Sequence, residues 1–156
     1  MKIGLFASAF NPLHAGHLWA MQQAIAAGAC DKILAAVNAN PAGKRPPIWT
    51  AEERAVMVDC VPCVAGISIY HSEQQLRELI ADIRPAAIIV GEDHRNDPVT
   101  GADLGIPIFW AKRRPGWSST EFVDAIYRHE RDRRAEQKGQ RVPEAGDSTD
   151  NRSVQD

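Results

Sequence analysis

A chain of 156 residues with 44% hydrophobic content is long enough for one domain with a buried core. Eighteen basic against twenty acidic side chains leave a formal charge of −2, which excludes a general polyanion-binding surface for nucleic acid or an anionic membrane, so any anion must be held locally. Three cysteines, an odd number, argue against a disulfide framework; the opening MKIGLFASAF is too short for a secretory leader and no run would span a bilayer, so a cytoplasmic protein is expected.

In chain order, KIGLFAS is a continuous apolar run closed by the Asn11-Pro12 breaker and reads as a buried strand ending in a loop. From Ala15 to Ala27 the apolar residues recur at three and four, with Leu18, Met21 and Ile25 among them, and Gly28 supplies the stop, so a helix is expected. KILAAVN is the second strand. NPAGKRPPIWT is loop, and Thr50 with Glu53 three residues on forms a capping box that opens the helix AEERAVMVDCV. GISIY is the third strand, followed by the helix SEQQLRELIADI, whose stripe of Leu76, Leu79, Ile80 and Ile83 ends at Pro85. AAIIV is the fourth strand and IPIFWAK the fifth, with a last helix starting near Ser118.

Strands that are apolar throughout and alternate with helices predict an α/β fold, a Rossmann-like doubly wound five-stranded parallel sheet. The domain is expected over residues 1–134, with the polar stretch from Ala135 to Asp156 as a disordered tail. In such sheets ligands bind beyond the carboxyl ends of the strands, so the loops after strands one, four and five should meet. Those loops hold the unusual residues.

The first of these is HAGH. His14 precedes the helix and His17 lies in its first turn, where free backbone N–H groups favour an anion and Gly16 leaves room for a phosphate. Zinc would need further ligands, and plain capping and packing is the alternative reading of the pair. The second is KRRPGWSST: Arg113 and Arg114 follow the fifth strand, Gly116 permits a tight turn, and Ser118, Ser119 and Thr120 offer hydroxyls at a helix start, either as a phosphate cradle or as a simple N-cap. The third is Lys44 and Arg45 in the proline-rich loop with Arg54 on the next helix, candidates for an acceptor phosphate. In GEDHR, Gly91 suits close approach of a base or ribose and Asp93 could accept from a ligand hydroxyl or amine. The CVPC of Cys60 to Cys63 lies near a helix end without a partner pair, which argues against redox or zinc chemistry.

With FNPLHAGH, a basic loop, GEDH and RRPGWSST in that order, the chain resembles the HxGH nucleotidylyltransferase superfamily, the cytidylyltransferase-like enzymes, over roughly residues 2 to 130. The resemblance implies that His14 and His17 bind nucleotide phosphates and stabilise the transition state, and that Trp117 to Thr120, matching the family's ISST, hold the β and γ phosphates. It also implies that Ala9 and Phe10 border the nucleotide, that Asn11 joins Lys44, Arg45 and Arg54 at the acceptor, and that Lys44 neutralises the attacking nucleophile. Ser8 and Ala9 stand where the family usually has glycine and threonine, and Val123 stands where a basic residue closes the second motif.

Arg113-x-x-Gly116-x-Ser118-Ser119-Thr120 resembles the signature of glycerol-3-phosphate cytidylyltransferase and its relatives and tilts the expected nucleotide to CTP. GLFASAFNPLHAGHL and KRPPIWTAEER are similar to nicotinate mononucleotide and phosphopantetheine adenylyltransferases and support ATP. The implied reaction is attack by an acceptor's phosphate on the α-phosphorus, releasing pyrophosphate, with Mg²⁺ carried by the nucleoside triphosphate. The implied partners are that nucleotide and a small phosphorylated acceptor, with no nucleic acid and no membrane; homodimers are common in the family. The rival readings are a nucleotide-binding module without turnover and a zinc hydrolase.

Overall fold

The computed structural model describes residues 1–42 and 46–139. Five strands, β1 (Ile3–Ser8), β2 (Lys32–Asn38), β3 (Val64–Tyr70), β4 (Ala87–Gly91) and β5 (Ile108–Ala111), form one all-parallel sheet in the order β3-β2-β1-β4-β5. Helices α1 (Ala15–Ala26), α2 (Ala51–Asp59) and α3 (Glu73–Ile83) make the crossovers, and α4 (Ser119–Gly139) follows β5. The Rossmann-like expectation is met, with the strand order reversing between β1 and β4.

That reversal follows from chain handedness. Right-handed crossovers running outward through β1, β2 and β3 place α1 and α2 on one face, and the return from β3 to β4 places α3 on the other. Alternate residues of each strand serve the two faces: Phe6, Ala35, Val37 and Ile89 pack with Met21, Ala24 and Val58, while Leu5, Ala36 and Ile88 pack with Leu76 and Ile80. Burial on both faces is why the strands read as unbroken apolar runs.

Local signals account for the element ends. Thr50 and Glu53 form the expected reciprocal capping box of α2, and Ser72 caps α3 through the Gln75 amide. Arg84 ends α3 in the left-handed conformation just before Pro85. Two expectations need correction. Ile83 is 39% exposed, so the buried stripe of α3 stops at Ile80. The fifth strand begins only at Ile108, because Pro107 cannot donate to the ladder; its carbonyl instead accepts from the Ile88 amide.

The chain divides into two compact units, Met1–Phe122 and a second starting at Val123. Within the second unit α4 continues past Arg134 to Gly139, and Glu130 pairs with Arg133 and Arg134 on a solvated helix face. Residues 140–156, most of the expected tail, lie outside the described residues. The three cysteines are free: Cys60 is the exposed C-cap residue of α2, and the Cys63 sulfur lies 3.9 Å from that of Met21. No helix among the described residues is long and apolar enough to cross a membrane.

Candidate active site

The loop from β1 to α1 builds the histidine pair. Phe10 takes a left-handed backbone conformation (φ 47°), uncommon for a bulky side chain, and its ring is fully buried 5.7 Å from Phe6 and 4.9 Å from His17. His14 then caps α1: its Nδ1 accepts from the Gly16 amide at 3.0 Å, while Nδ1 of His17 accepts from the His14 amide at 3.3 Å. This is the geometry of a capping box made with two imidazoles. Capping and ligand binding are therefore compatible roles, because each ring spends only its Nδ1 on the helix.

Protonation follows from those bonds. A backbone N–H can only donate, so each Nδ1 is a bare acceptor and each neutral ring carries its hydrogen on Nε2. Burial, and next to it the neighbouring His14, push the His17 pKa down to about 3. Burial and the Arg113 guanidinium lower that of His14. With ring centroids 3.9 Å apart, two imidazolium ions would repel, and the pair is neutral at neutral pH. Its means of meeting an anion is the Nε2–H dipole and the α1 N-terminus, not a net positive charge.

A cavity of about 630 Å³ opens at the carboxyl ends of β1, β4 and β5, within the first unit. His14, Arg113, Arg114 and Trp117 line the side next to α1; Tyr70, Glu73, Asp97 and Thr100 line the side next to α3. Asp93 holds Arg113 by a 3.0 Å ion pair, and Glu92 accepts from the Arg113 amide. The Arg114 guanidinium lies over the Trp117 ring at 4.2 Å and near that of Trp19 at 5.8 Å, which fixes a cation at the cavity wall. Ser118, Ser119 and Thr120 line the cavity.

Several expected site residues have other work. Arg54 is 1% exposed and donates to the carbonyls of Ala9, Asn38, Trp49 and Thr50, so it ties three loops together and is not placed to hold an acceptor phosphate. Ala9 contributes that carbonyl, and Phe10 is core; neither lines the cavity. Asn11 accepts from the Ile48 amide, pinning the loop before α2. A Cβ on Gly16 would sit 2.1 Å from the Trp117 carbonyl oxygen, so the missing side chain admits the protein's own loop, and Gly16 lines the cavity beside it. A Cβ on Gly91 would sit 2.5 Å from the Asp93 carboxylate, which explains that glycine equally locally. The Ser118 hydroxyl donates to Glu121 at 2.6 Å and accepts from the Glu121 amide, the N-cap reading of that residue, and Gly116 turns with φ 83°. Lys44 and Arg45 lie outside the described residues.

The sequence reading missed two features. Ser8, noted only as a departure, has its Oγ 3.1 Å from Nε2 of His17. The flank of Tyr70, Glu73, Asp97 and Thr100 carried no motif; its only signal was its place at the ends of β3 and β4. Among the described residues no three His, Cys, Asp or Glu side chains converge as a metal site.

Comparison with known proteins identifies the family. A family model described as cytidylyltransferase-like matches residues 5–125. The bifunctional protein HldE of Paramagnetospirillum magneticum is 31% identical over 108 residues, 66% of this chain and 22% of that protein. Its counterpart in Acidiphilium cryptum is 29% identical over 134 residues, 80% of this chain and 27% of that one. The chain thus spans about a quarter of the length of the curated relatives it matches. Among solved structures, the lipopolysaccharide core biosynthesis protein of Thermoplasma volcanium shares the fold with a TM-score of 0.57 at 17% identity, over 73% of this chain and 97% of that one. A Vibrio parahaemolyticus protein provisionally described as a nicotinate-nucleotide adenylyltransferase gives 0.56 at 19%, over 83% and 89%.

Proposed function

The chain belongs to the cytidylyltransferase-like family of nucleotidyltransferases, and we propose that it transfers a nucleotidyl group from a nucleoside triphosphate to a small phosphate-bearing acceptor, with release of pyrophosphate. The observation that carries this reading is the pair of imidazoles capping the start of α1, at a cavity that Arg113 and Arg114 line on the same side.

An acceptor phosphate oxygen attacks the α-phosphorus, and the bond to the bridging oxygen of pyrophosphate breaks in line. The protein forms no bond to the substrate; positioning and charge stabilisation supply the rate. His14 and His17 stabilise the charge developing on the α-phosphate through fixed hydrogen-bond donors that need no proton transfer. Arg113, Arg114 and the Ser119-Thr120 start of α4 stand where the β and γ phosphates leave. Lys44 is assigned on its sequence position to the incoming nucleophile.

The donor set fits a magnesium ion that arrives on the triphosphate, because the cavity carboxylate nearest the basic wall, Asp93, is committed to Arg113, and among the described residues no three His, Cys, Asp or Glu side chains form a metal site. When bound, the ion neutralises charge on the triphosphate.

CTP is the first candidate nucleotide, on the Arg113 to Thr120 pattern, and ATP the second. A polyol phosphate such as glycerol 3-phosphate suits the α3 side of the cavity, where Tyr70, Glu73, Asp97 and Thr100 offer partners for hydroxyl groups. The test is a matrix of CTP, ATP, GTP and UTP against glycerol 3-phosphate, other sugar and polyol phosphates, nicotinate mononucleotide and phosphopantetheine, reading pyrophosphate release. Turnover confined to one nucleotide and one acceptor class is expected. Nucleotide binding without pyrophosphate from any pair would favour the binding-module reading.

A further inference from the structure

His17 is 9% exposed, wedged between the rings of Phe10 and His14, and so reaches the cavity it lines with little of its surface. Ser8, the last residue of β1, lines the cavity and stands 3.1 Å from Nε2 of His17. The direction of this hydrogen bond is determined by the bonds behind it. The His14 amide occupies Nδ1 of His17, the only hydrogen of the neutral ring is on Nε2, and that hydrogen is donated to Ser8 Oγ. The serine oxygen is thus an acceptor from the ring, and its own hydrogen must go elsewhere. No other side-chain or backbone partner of Ser8 Oγ exists among the described residues, which leaves the cavity as its destination.

We propose that Ser8 is the residue through which His17 acts: the Ser8 hydroxyl donates to an anionic phosphate oxygen of the ligand, and His17, behind it, is a positioning residue that polarises the hydroxyl. The pair HxGH is then asymmetric in this chain. His14 presents Nε2–H to the ligand directly, whereas His17 reaches it through one intervening O–H. A chain of donors running from a backbone amide through an imidazole to a hydroxyl strengthens its last member. The identity of the ligand rests on the nucleotidyl-transfer reading; the order of the hydrogen bonds does not.

The experiment uses the full chain labelled with ¹⁵N in histidine, titrated with inorganic tripolyphosphate, with imidazole ¹⁵N spectra and calorimetry as readouts. His17 should show a protonated Nε2 and a bare Nδ1 in the free protein, and its Nε2 resonance should move on binding. Ser8→Ala leaves a methyl group between ring and ligand and should weaken tripolyphosphate binding at least about tenfold with the His17 tautomer unchanged. Ser8→Gly removes that methyl, lets the anion reach Nε2–H and should recover most of the affinity. A His17 hydrogen on Nδ1, undiminished binding by Ser8→Ala, or no tripolyphosphate binding by the unaltered protein would each overturn the assignment. If the tautomer and the Ser8 series behave as stated while no nucleoside triphosphate yields pyrophosphate, the Ser8 assignment stands and the transferase reading falls.

Discussion

The His14 amide donates to Nδ1 of His17 at 3.3 Å, so the first histidine of the motif sets the tautomer of the second. Removing the buried His17 ring should cost both rate and stability. For His17→Ala, kcat/KM is expected to fall about 10²- to 10³-fold, the usual loss for a preorganised donor. Loss of half of the α1 capping box costs about 1 kcal/mol, and the space left between Phe10 and His14 adds about 2–4 kcal/mol. Steady-state kinetics on the folded variant, with a thermal melt beside them, separate the two; near-normal turnover would remove His17 from the machinery.

Acid should destabilise the protein through the same residue. The folded His17 has a pKa near 3 against 6.5 for the free side chain, so between these values the unfolded chain binds a proton that the folded chain does not. Stability is complete above about pH 6.5 and falls as pH drops toward 3, by about 1.4 kcal/mol per pH unit for one such group. The lowered pKa of His14 acts in the same direction. Urea midpoints measured from pH 7 to pH 4 should decline, and His17→Gln should flatten the slope; equal slopes would contradict the burial argument.

Gly16→Ala tests the approach of the β5–α4 loop to α1. The new methyl would meet the Trp117 carbonyl oxygen at 2.1 Å, and backbone on both sides leaves no flexible atom to yield. A loss of about 1–3 kcal/mol is expected from such overpacking. Because the same shift moves Arg114 and Ser119, nucleotide affinity should fall as well. Wild-type melting and affinity together would show that the loop does not close on the helix.

Arg54→Met tests the corrected role of that arginine. Its loss strands buried carbonyls on the loops after β1 and β2 and before α2, each costing roughly 1–3 kcal/mol. The variant should melt far below the parent, yet at temperatures where it is folded its KM for the acceptor should be close to normal. A selective rise in acceptor KM without loss of stability would restore Arg54 to the acceptor site.

The sheet was legible because it is covered on both faces, which writes each strand as an apolar run, and because Thr50, Gly28 and Pro85 mark helix ends by local chemistry. HAGH was legible for the same reason: its position between strand and helix is a local fact. Arg54 was not, since a basic residue near a basic loop gives no sign in sequence that carbonyls from three separate segments converge on it. Gly16 and Gly91 misled in a related way. Sequence shows that a side chain is absent, but only packing shows whether a ligand, the Trp117 carbonyl or the Asp93 carboxylate fills the space. Ser8 showed only as a departure from the family pattern, and its bond to His17 comes from the turn that brings β1 back against α1.

Nucleotidyl transfer requires that reaction occur at the α-phosphorus. With the acceptor identified by pyrophosphate release, parallel reactions with α-labelled and γ-labelled nucleoside triphosphate decide it. The α label should appear in the acceptor product and the γ label wholly in pyrophosphate. Transfer of the γ label to the acceptor, or its appearance as inorganic phosphate independent of acceptor, would contradict nucleotidyl transfer and assign the site to another chemistry.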